Sequence, residues 1–388
     1  MLKQLLVHRG MGRFVERRLP RQGITLGNQV QLLANGDEAY PAMLEAIHCA
    51  KNRVDMCMYI FRDDRVGMTF AEALAECARR GVMVRVAYDA IGCCDIGTRH
   101  FELIRRCGGE VYAINPLLPR PITRMWEVIA RDHRKILAVD DEVAFIGGLN
   151  IGNEYDGDGT DEHHWRDFAM KMNGPSARYL RMLVDKTYMN SWGLAPHLRQ
   201  QPRKYAPSMV WFQSPVPLDP RRTIVNAYNS LIRNAQQYVY LASAYFLPNY
   251  RIVHQLTKAV RRGVDVRLLL PHKSDLPIVC LASRLWYHHL LRRGVRIFER
   301  QRAILHAKAG VADDAAAVIG SANLDARAFY LNREVLATVL NETFAKDLRA
   351  ELEYDFSQSR EVKLQEVDRL PWQQRLKQHL AFAISPLL

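Results

Sequence analysis

Two stretches decide how this chain is read: residues 125–157, MWEVIARDHRKILAVDDEVAFIGGLNIGNEYDG, and residues 304–335, ILHAKAGVADDAAAVIGSANLDARAFYLNREV. Each runs His, one residue, Lys, four residues, Asp, then a short apolar run ending in Gly-Gly or Gly-Ser, then Asn. The first copy supplies His133, Lys135, Asp140, Gly148 and Asn150, and the second His306, Lys308, Asp313, Ser321 and Asn323. One H-x-K-x-x-x-x-D is a weak signal, because composition alone produces it by accident. Two copies, each with the same sequel, ask to be read as an internal repeat.

The surroundings repeat as well. In the first half the helical stretch YPAMLEAIHCAKN, the apolar run RVDMCMYIF, the helix MTFAEALAECARRG and the strand VMVRVAYDA precede the motif. The second half has IVNAYNSLIRNAQ, QYVYLASAYFLP, YRIVHQLTKAVRRG and VDVRLLLPH in the same order. Gly81 and Gly263 each follow an Arg-Arg pair and suit the left-handed residue that ends a helix. Strands alternating with helices predict an α/β protein of two pseudo-symmetric halves, each a mixed, mostly parallel sheet flanked by helices. The active site is then expected at their interface. The expected boundaries are an N-terminal arm over 1–22, a first half over 23–195, a linker over 196–208 rich in Pro, Gln and basic residues, a second half over 209–360 and a tail over 361–388 that associates with membrane.

Within each motif the run after Lys is too short for a helix and is stopped by Asp-Asp, so it reads as a buried strand. Residues two apart on a strand share a face, which puts His133 with Lys135 and His306 with Lys308. Asp140 and Asp313 fall at the far turn, away from the same substrate atoms. A returning hairpin brings Gly148 and Asn150, or Ser321 and Asn323, back beside the His-Lys end, where small residues let a substrate approach the backbone. Such a cluster is a half-site for phosphate: a titratable nucleophile or acid, a point charge and amide donors. Two imidazoles can divide phosphodiester exchange, one attacking phosphorus while the other gives a proton to the departing alcohol. Duplication supplies both. Asp167 in WRDFAM and Glu334 in NREVLA correspond once a six-residue insertion is allowed, and a carboxylate on the far ring nitrogen of each His would fix its tautomer.

The 388 residues carry 54 Lys and Arg against 41 Asp and Glu, a net +13, which points to an anionic partner: nucleic acid, phosphorylated metabolites or acidic lipid. Seven cysteines without a C-x-x-C pair read as a reduced protein with no zinc site, and Cys93-Cys94 as structural. The sequence offers no apolar window long enough to span a membrane and no signal peptide at its start. Residues 1–22 mix Lys3, Arg9, Arg13, Arg17, Arg18 and Arg21 with Leu and Phe, and read either as a basic amphipathic helix on an acidic bilayer or as a solvated arm.

Other features are weaker. His163-His164 and His288-His289 lack metal-ligand spacing and read as surface or packing histidines. Asp63-Asp64 reads as a turn before a helix. Tyr59 and Tyr245 follow corresponding strands and line the cleft or the core. The stretch 276–294, with Leu276, Ile278, Leu281, Leu285, Trp286 and Leu290 at near-helical spacing, packs against the sheet or meets acyl chains.

HRKILAVDDEVAFIGGLNIGNEY, WRDFAMKMNGP, SAYFLPNYR and HAKAGVADDAAAVIGSANLDARAFYLNREV together resemble the phospholipase D superfamily, and within it the bacterial cardiolipin synthases, the B type above all. The similarity runs from about Val30 to Leu340. What it implies is a phosphatidyltransferase that moves a phosphatidyl group, through a phosphohistidine and without metal or cofactor, from phosphatidylglycerol to a second phosphatidylglycerol, releasing glycerol. By the same resemblance His133 is the nucleophile and His306 the acid and base, although the symmetry of the motifs permits the reverse. Lys135, Lys308, Asn150 and Asn323 would hold the phosphate, and Asp140 and Asp313 would buttress the strands. Glu154 matches the NIGxEY of many cardiolipin synthases, while its counterpart in the repeat is Arg327, which leaves a paired role unsupported. The implied partner is anionic phospholipid at the cytoplasmic face of the bacterial inner membrane, bound peripherally. The other readings left open are a phospholipase or transferase using water or another alcohol, and a nuclease.

Overall fold

The computed structural model describes residues 23–94, 97, 99–116, 130–188, 208–215 and 223–385. The basic arm over 1–22 and all but the last residue of the linker over 196–208 lie outside the described residues. The first half contributes β1 (Ile24–Ala34), β2 (Arg53–Met58), β3 (Met83–Asp89), β4 (Glu110–Ile114), β5 (Ile136–Val139), β6 (Val143–Gly147) and β7 (Phe168–Asn173). From the second half come β8 (Ser208–Gln213), β9 (Tyr238–Ser243), β10 (Asp265–Pro271), β11 (Arg296–Arg300), β12 (Lys308–Ala312), β13 (Ala316–Gly320), β14 (Leu336–Leu340) and β15 (Ser359–Glu361).

These strands form one sheet in the order β15-β11-β10-β9-β12-β13-β14-β8-β1-β7-β6-β5-β2-β3-β4. The long β1 joins the halves, pairing antiparallel with β7 on one edge and β8 on the other. Outward from this seam the order of one half mirrors the other: β7-β6-β5-β2-β3-β4 against β14-β13-β12-β9-β10-β11. The α/β duplication therefore stands, but the expectation of mostly parallel sheets does not. Only β2·β3, β3·β4, β9·β10 and β10·β11 run parallel among the described pairs. The reason is the length of the connections: whole helices cross between the parallel strands, whereas the motif strands are joined by tight turns that force antiparallel return.

Six helices that place the site are named here: α1 (Asn35–His48), α2 (Arg65–Arg79), α3 (Pro175–Tyr188), α4 (Tyr250–Arg261), α5 (Pro277–Ser283) and α6 (Glu342–Ser357). Helix α2 shows how locally the sequence specifies them. Asp64 caps it, its carboxylate accepting from the Gly67 N–H at 2.9 Å, and Val66, Phe70, Leu74 and Cys77 make the buried face. Gly81, at φ 84°, stops it, as Gly263, at φ 87°, stops α4. The core has three parts. One lies in each half, and a third is shared, where Phe168, Met170 and Leu180 of the first half pack with Phe212, Val339, Phe344 and Leu348 of the second under α3 and α6. The shared core and the common sheet fix the two halves in one relative position, which is what a site divided between them requires.

Candidate active site

The ends of the repeated motifs meet at the seam through backbone hydrogen bonds. The His133 N–H donates to the Arg333 carbonyl at 2.9 Å, and the Arg333 N–H to the Arg131 carbonyl at 2.8 Å. In the symmetric position the His306 N–H donates to the Arg166 carbonyl at 2.8 Å, and the Arg166 N–H to the Ile304 carbonyl at 2.9 Å. Each motif histidine is thereby laid against the chain segment that carries the carboxylate of the opposite half. Buried His133 Nδ1 lies 3.1 Å from Glu334, and buried His306 Nδ1 lies 2.6 Å from Asp167 Oδ2. The pairs are crossed: neither motif histidine is paired with a carboxylate of its own half. The remaining face of each ring is packed by aromatics, Tyr59 against His133 with centroids 4.6 Å apart and Tyr155 against His306 at 5.3 Å.

Both histidines line a single cavity of about 450 Å³, together with Asn150, Asn323 and Glu334. Its aliphatic and Phe lining is drawn from Leu247, Pro248, Leu276, Val279 and Ala326 of the second half and Phe382 of the C-terminal tail, with Ile60 alone from the first half. Burial holds the His133 imidazolium below the ordinary histidine range, against the opposing charge of Glu334. His306 is lowered further, by burial and then by the Lys308 ammonium beside it. Neutral imidazole is the form able to attack phosphorus or accept a proton. Burial also pushes the Asp167 carboxyl up to about 7.

The lysines stand behind the rings rather than in the cavity lining. The Lys135 ammonium donates to the His133 carbonyl at 2.8 Å and lies 5.0 Å from the centre of the Tyr59 ring. That of Lys308 donates to the His306 carbonyl and sits 2.9 Å from His306 Nδ1. Burial lowers Lys135 to about 7 and Lys308 to about 8. Two cationic groups at this depth, with no carboxylate among the described residues bonded to them, are poised to regain full charge when a phosphate anion arrives.

The asparagines differ. The Asn150 carboxamide is engaged, donating to the Tyr155 hydroxyl at 2.6 Å and accepting from the Ile60 N–H at 3.2 Å. That of Asn323 leaves a buried oxygen without a partner among the described residues, and a half-turn of the amide would present N–H donors to the same place. Gly148 and Ser321 also part company. A Cβ at Gly148 would fall 2.2 Å from Asp167 Oδ1, so glycine is what lets the shorter carboxylate in. Ser321 instead donates its hydroxyl to Glu334.

Asp140 and Asp313, the aspartates of the repeated motif, have the surroundings of turn residues. Asp140 and Asp141 both have positive φ, as do Asp313 and Asp314, the hairpin turn in which aspartate is at home. The Asp140 carboxylate accepts from the backbone N–H groups of Lys51, Asn52 and Arg53 at 2.7, 2.8 and 2.8 Å. Asp313 does the same for Gln236, Gln237 and Tyr238 at 2.7, 2.9 and 3.0 Å. Neither lines the cavity. Each ties the motif hairpin to the loop that enters the neighbouring antiparallel strand, β2 or β9. Glu154 is likewise outside the lining, paired with Arg62 at 2.9 Å.

The weaker candidates sort cleanly. Asp64 is the cap of α2, and Asp63 pairs with Arg99 at 2.9 Å. His164 bonds Asp161 and His288 faces Asp368, and no group of three or more potential metal ligands occurs among the described residues. All seven cysteines are free, Cys93 buried and Cys94 exposed. Tyr59 and Tyr245 line the cavity. The stretch 276–294 is broken into short helical pieces, and Leu276 and Val279 face the cavity. Several lining groups carried no repeat signal: Asp275, whose counterpart is Cys93 and which accepts from the Tyr245 hydroxyl at 2.6 Å; Asp325, raised to about 6 by burial; and Phe382 and Ser385 from the C-terminal end. Arg131, two residues before His133, also lines the cavity and was not singled out in the sequence.

A duplicated fold with two crossed His–carboxylate dyads over one cavity defines a phospholipase D-like phosphatidyltransferase. Residues 43–157 and 228–356 match the family model described as cardiolipin synthase, PLD-like domain. The chain is 33% identical over 387 residues to a cardiolipin synthase A of Pseudomonas aeruginosa, covering all of this chain and 78% of that one. It is also 33% identical over 377 residues to a cardiolipin synthase of Geobacillus kaustophilus, with 96% of this chain and 74% of the relative covered. Among solved structures, phosphatidylserine synthase from Haemophilus influenzae shares the fold with a TM-score of 0.68 at 15% identity, over 92% of this chain and 93% of that one. The chain belongs to the cardiolipin synthase family.

Proposed function

We propose that the chain makes cardiolipin from two molecules of phosphatidylglycerol. His133 Nε2 attacks the phosphorus of the first, forming a P–N bond as the P–O bond to the glycerol headgroup breaks, and His306, its imidazolium favoured by the bound phosphate anion and by Asp167, gives its proton to the departing glycerol oxygen. Neutral His306 then takes the proton of a hydroxyl on the second phosphatidylglycerol; that oxygen attacks phosphorus, the P–N bond breaks and His133 is regenerated. Glu334 and Asp167 hold the two rings by their far nitrogens and balance imidazolium charge. Asn323 meets the phosphate oxygens from the cavity wall, and Lys135 and Lys308, behind the rings, supply positive charge to oxygens that carry more charge in the transition state than in the ground state.

The observation that carries this reading is the pair of histidines on one cavity, each backed by a buried carboxylate of the opposite half. The apolar wall beside them suits the acyl part of a lipid, and the net charge of +13 suits an acidic bilayer. No helix among the described residues is long and apolar enough to cross a membrane, and the reading has the protein act peripherally, at the cytoplasmic face. The test is incubation of purified protein with phosphatidylglycerol vesicles followed by lipid mass spectrometry. Cardiolipin and free glycerol in equal amounts are expected. Phosphatidic acid as the sole product would make water the acceptor, and the enzyme a phospholipase.

A further inference from the structure

The C-terminal helix, α7 here (Trp372–Ile384), faces two ways. On its inner side Gln378 and Ala381 are buried, and Phe382 and Ser385 enter the lining of the cavity that holds both histidines. On its outer side Trp372, Leu376, Leu380 and Ile384 follow one another at intervals of four and are 71, 49, 59 and 45% exposed. Spaced so, they cover an arc of about 120° on the face opposite the buried one. Two further exposed apolar side chains stand at the cavity rim: Leu276, which lines it, and Tyr250, which follows the lining residue Asn249. Lys377 and Arg375 flank the stripe on its two sides, and the helix contains no Asp or Glu.

We propose that α7 lies flat on an acidic phospholipid bilayer, with Trp372, Leu376, Leu380 and Ile384 among the headgroups and first methylenes, so that the catalytic cavity opens at the lipid surface. This rests on the lipid substrate proposed above. An apolar face with cationic flanks is the signature of a helix at a membrane interface, where the aromatic ring and the long basic side chains reach the headgroup level. Charge decides against a second copy of the chain as occupant. A two-fold contact along one narrow stripe would bring the basic flanks of both copies together, whereas acidic headgroups neutralise them. Phe382 and Ser385 join the docking face to the cavity on one rigid helix, so a lipid lifted slightly from the leaflet is already at the entrance.

The test uses the full chain with Trp372→Gln, Leu376→Gln and Leu380→Gln combined, and Leu380→Gln alone as a milder variant. Sedimentation with vesicles of phosphatidylglycerol and phosphatidylcholine in equal parts is expected to weaken at least about tenfold in the triple variant and less in the single one, with unchanged thermal unfolding. Cardiolipin formation on those vesicles is expected to fall in parallel, while hydrolysis of the soluble diester bis(p-nitrophenyl) phosphate stays at the parent rate. Equal vesicle binding by parent and triple variant would overturn the docking proposal. So would a parent dimer in solution that the triple variant dissociates without losing vesicle affinity. Parent protein that sediments normally yet acts on neither lipid nor soluble diester would refute the proposed chemistry and leave the docking result standing.

Discussion

Replacing Asp167 by Asn removes one negative charge from the first half of the chain and is expected to disable the histidine of the second. The Asp167–His306 contact is 2.6 Å long, both side chains are buried, and the second Asp167 oxygen already accepts the Phe168 N–H at 2.8 Å. No water can take the place of the lost charge. Removing one partner of a buried, hydrogen-bonded ion pair costs about 3–5 kcal/mol. If most of it falls on the state in which His306 is protonated, turnover drops by about 10²- to 10³-fold. Asparagine preserves volume and also offers N–H to the ring, which favours the wrong tautomer. The assay is a double-mutant cycle on bis(p-nitrophenyl) phosphate, whose leaving group needs no protonation, with intact-protein mass spectrometry to catch the phosphohistidine. Asp167→Asn is expected to accumulate adduct on His133 and to be nearly silent in a His306→Ala background. Glu334→Gln is expected to form little adduct and to be nearly silent in a His133→Ala background. Coupling of Asp167 to His133 rather than to His306 would refute the crossed arrangement, and with it the case for a site shared between halves.

Gly148→Ser should fold normally and lose at least about 100-fold in turnover, because its Cβ displaces the Asp167 carboxylate from His306; Ser321→Gly, at the matching position, should cost far less. Asp140→Ala should lower stability by about 1–2 kcal/mol by stranding three backbone donors, seen as a drop in melting temperature of a few degrees, while the rate per folded molecule is kept. For pH, Lys135 and Lys308 have values lowered to about 7 and about 8, so both are charged below that range and lose charge above it. The kcat/KM for a soluble diester should therefore fall as pH rises from about 7 to about 9; Lys308→Arg, which keeps its proton, should move that limb upward even if the rate is lower. Activity should be unchanged by a chelator, measured as cardiolipin formed with and without it; dependence on added divalent metal would contradict a mechanism run by two imidazoles.

How much was legible in advance follows from which signals are local. The helices and parallel strands showed because Asp64, the Arg-Arg-Gly ends and the apolar runs act within a few residues. The two histidines and their lysines showed because duplication repeats them. The expectation of mostly parallel sheets fails because alternating helices and strands describe only the outer strands of each half, while the motif hairpins at Asp-Asp, legible one at a time, make every inner pair antiparallel. The motif aspartates were legible as turn residues because Asp-Asp stops the strand, and they show that a repeated residue need not touch substrate when the repeat also encodes a turn and its tie to the next loop. The crossing of Glu334 to His133 and Asp167 to His306 could not be read at all. Sequence order gives no hint that segments about 140 to 200 residues apart exchange partners, since backbone bridges at the seam decide it. Asp275 and Phe382 were invisible because neither has a twin.

The exchange of partners across the seam has a further consequence for how such an enzyme can move and how it can be divided. Hinging the two repeats apart to admit a bulky lipid would tear each base from the acid that steadies it, so admission has to come through the existing opening, by loop and rim adjustments alone. By the same token, the two pieces expressed as separate polypeptides should each be inert and should regain turnover only when they reassemble, much as an obligate dimer would.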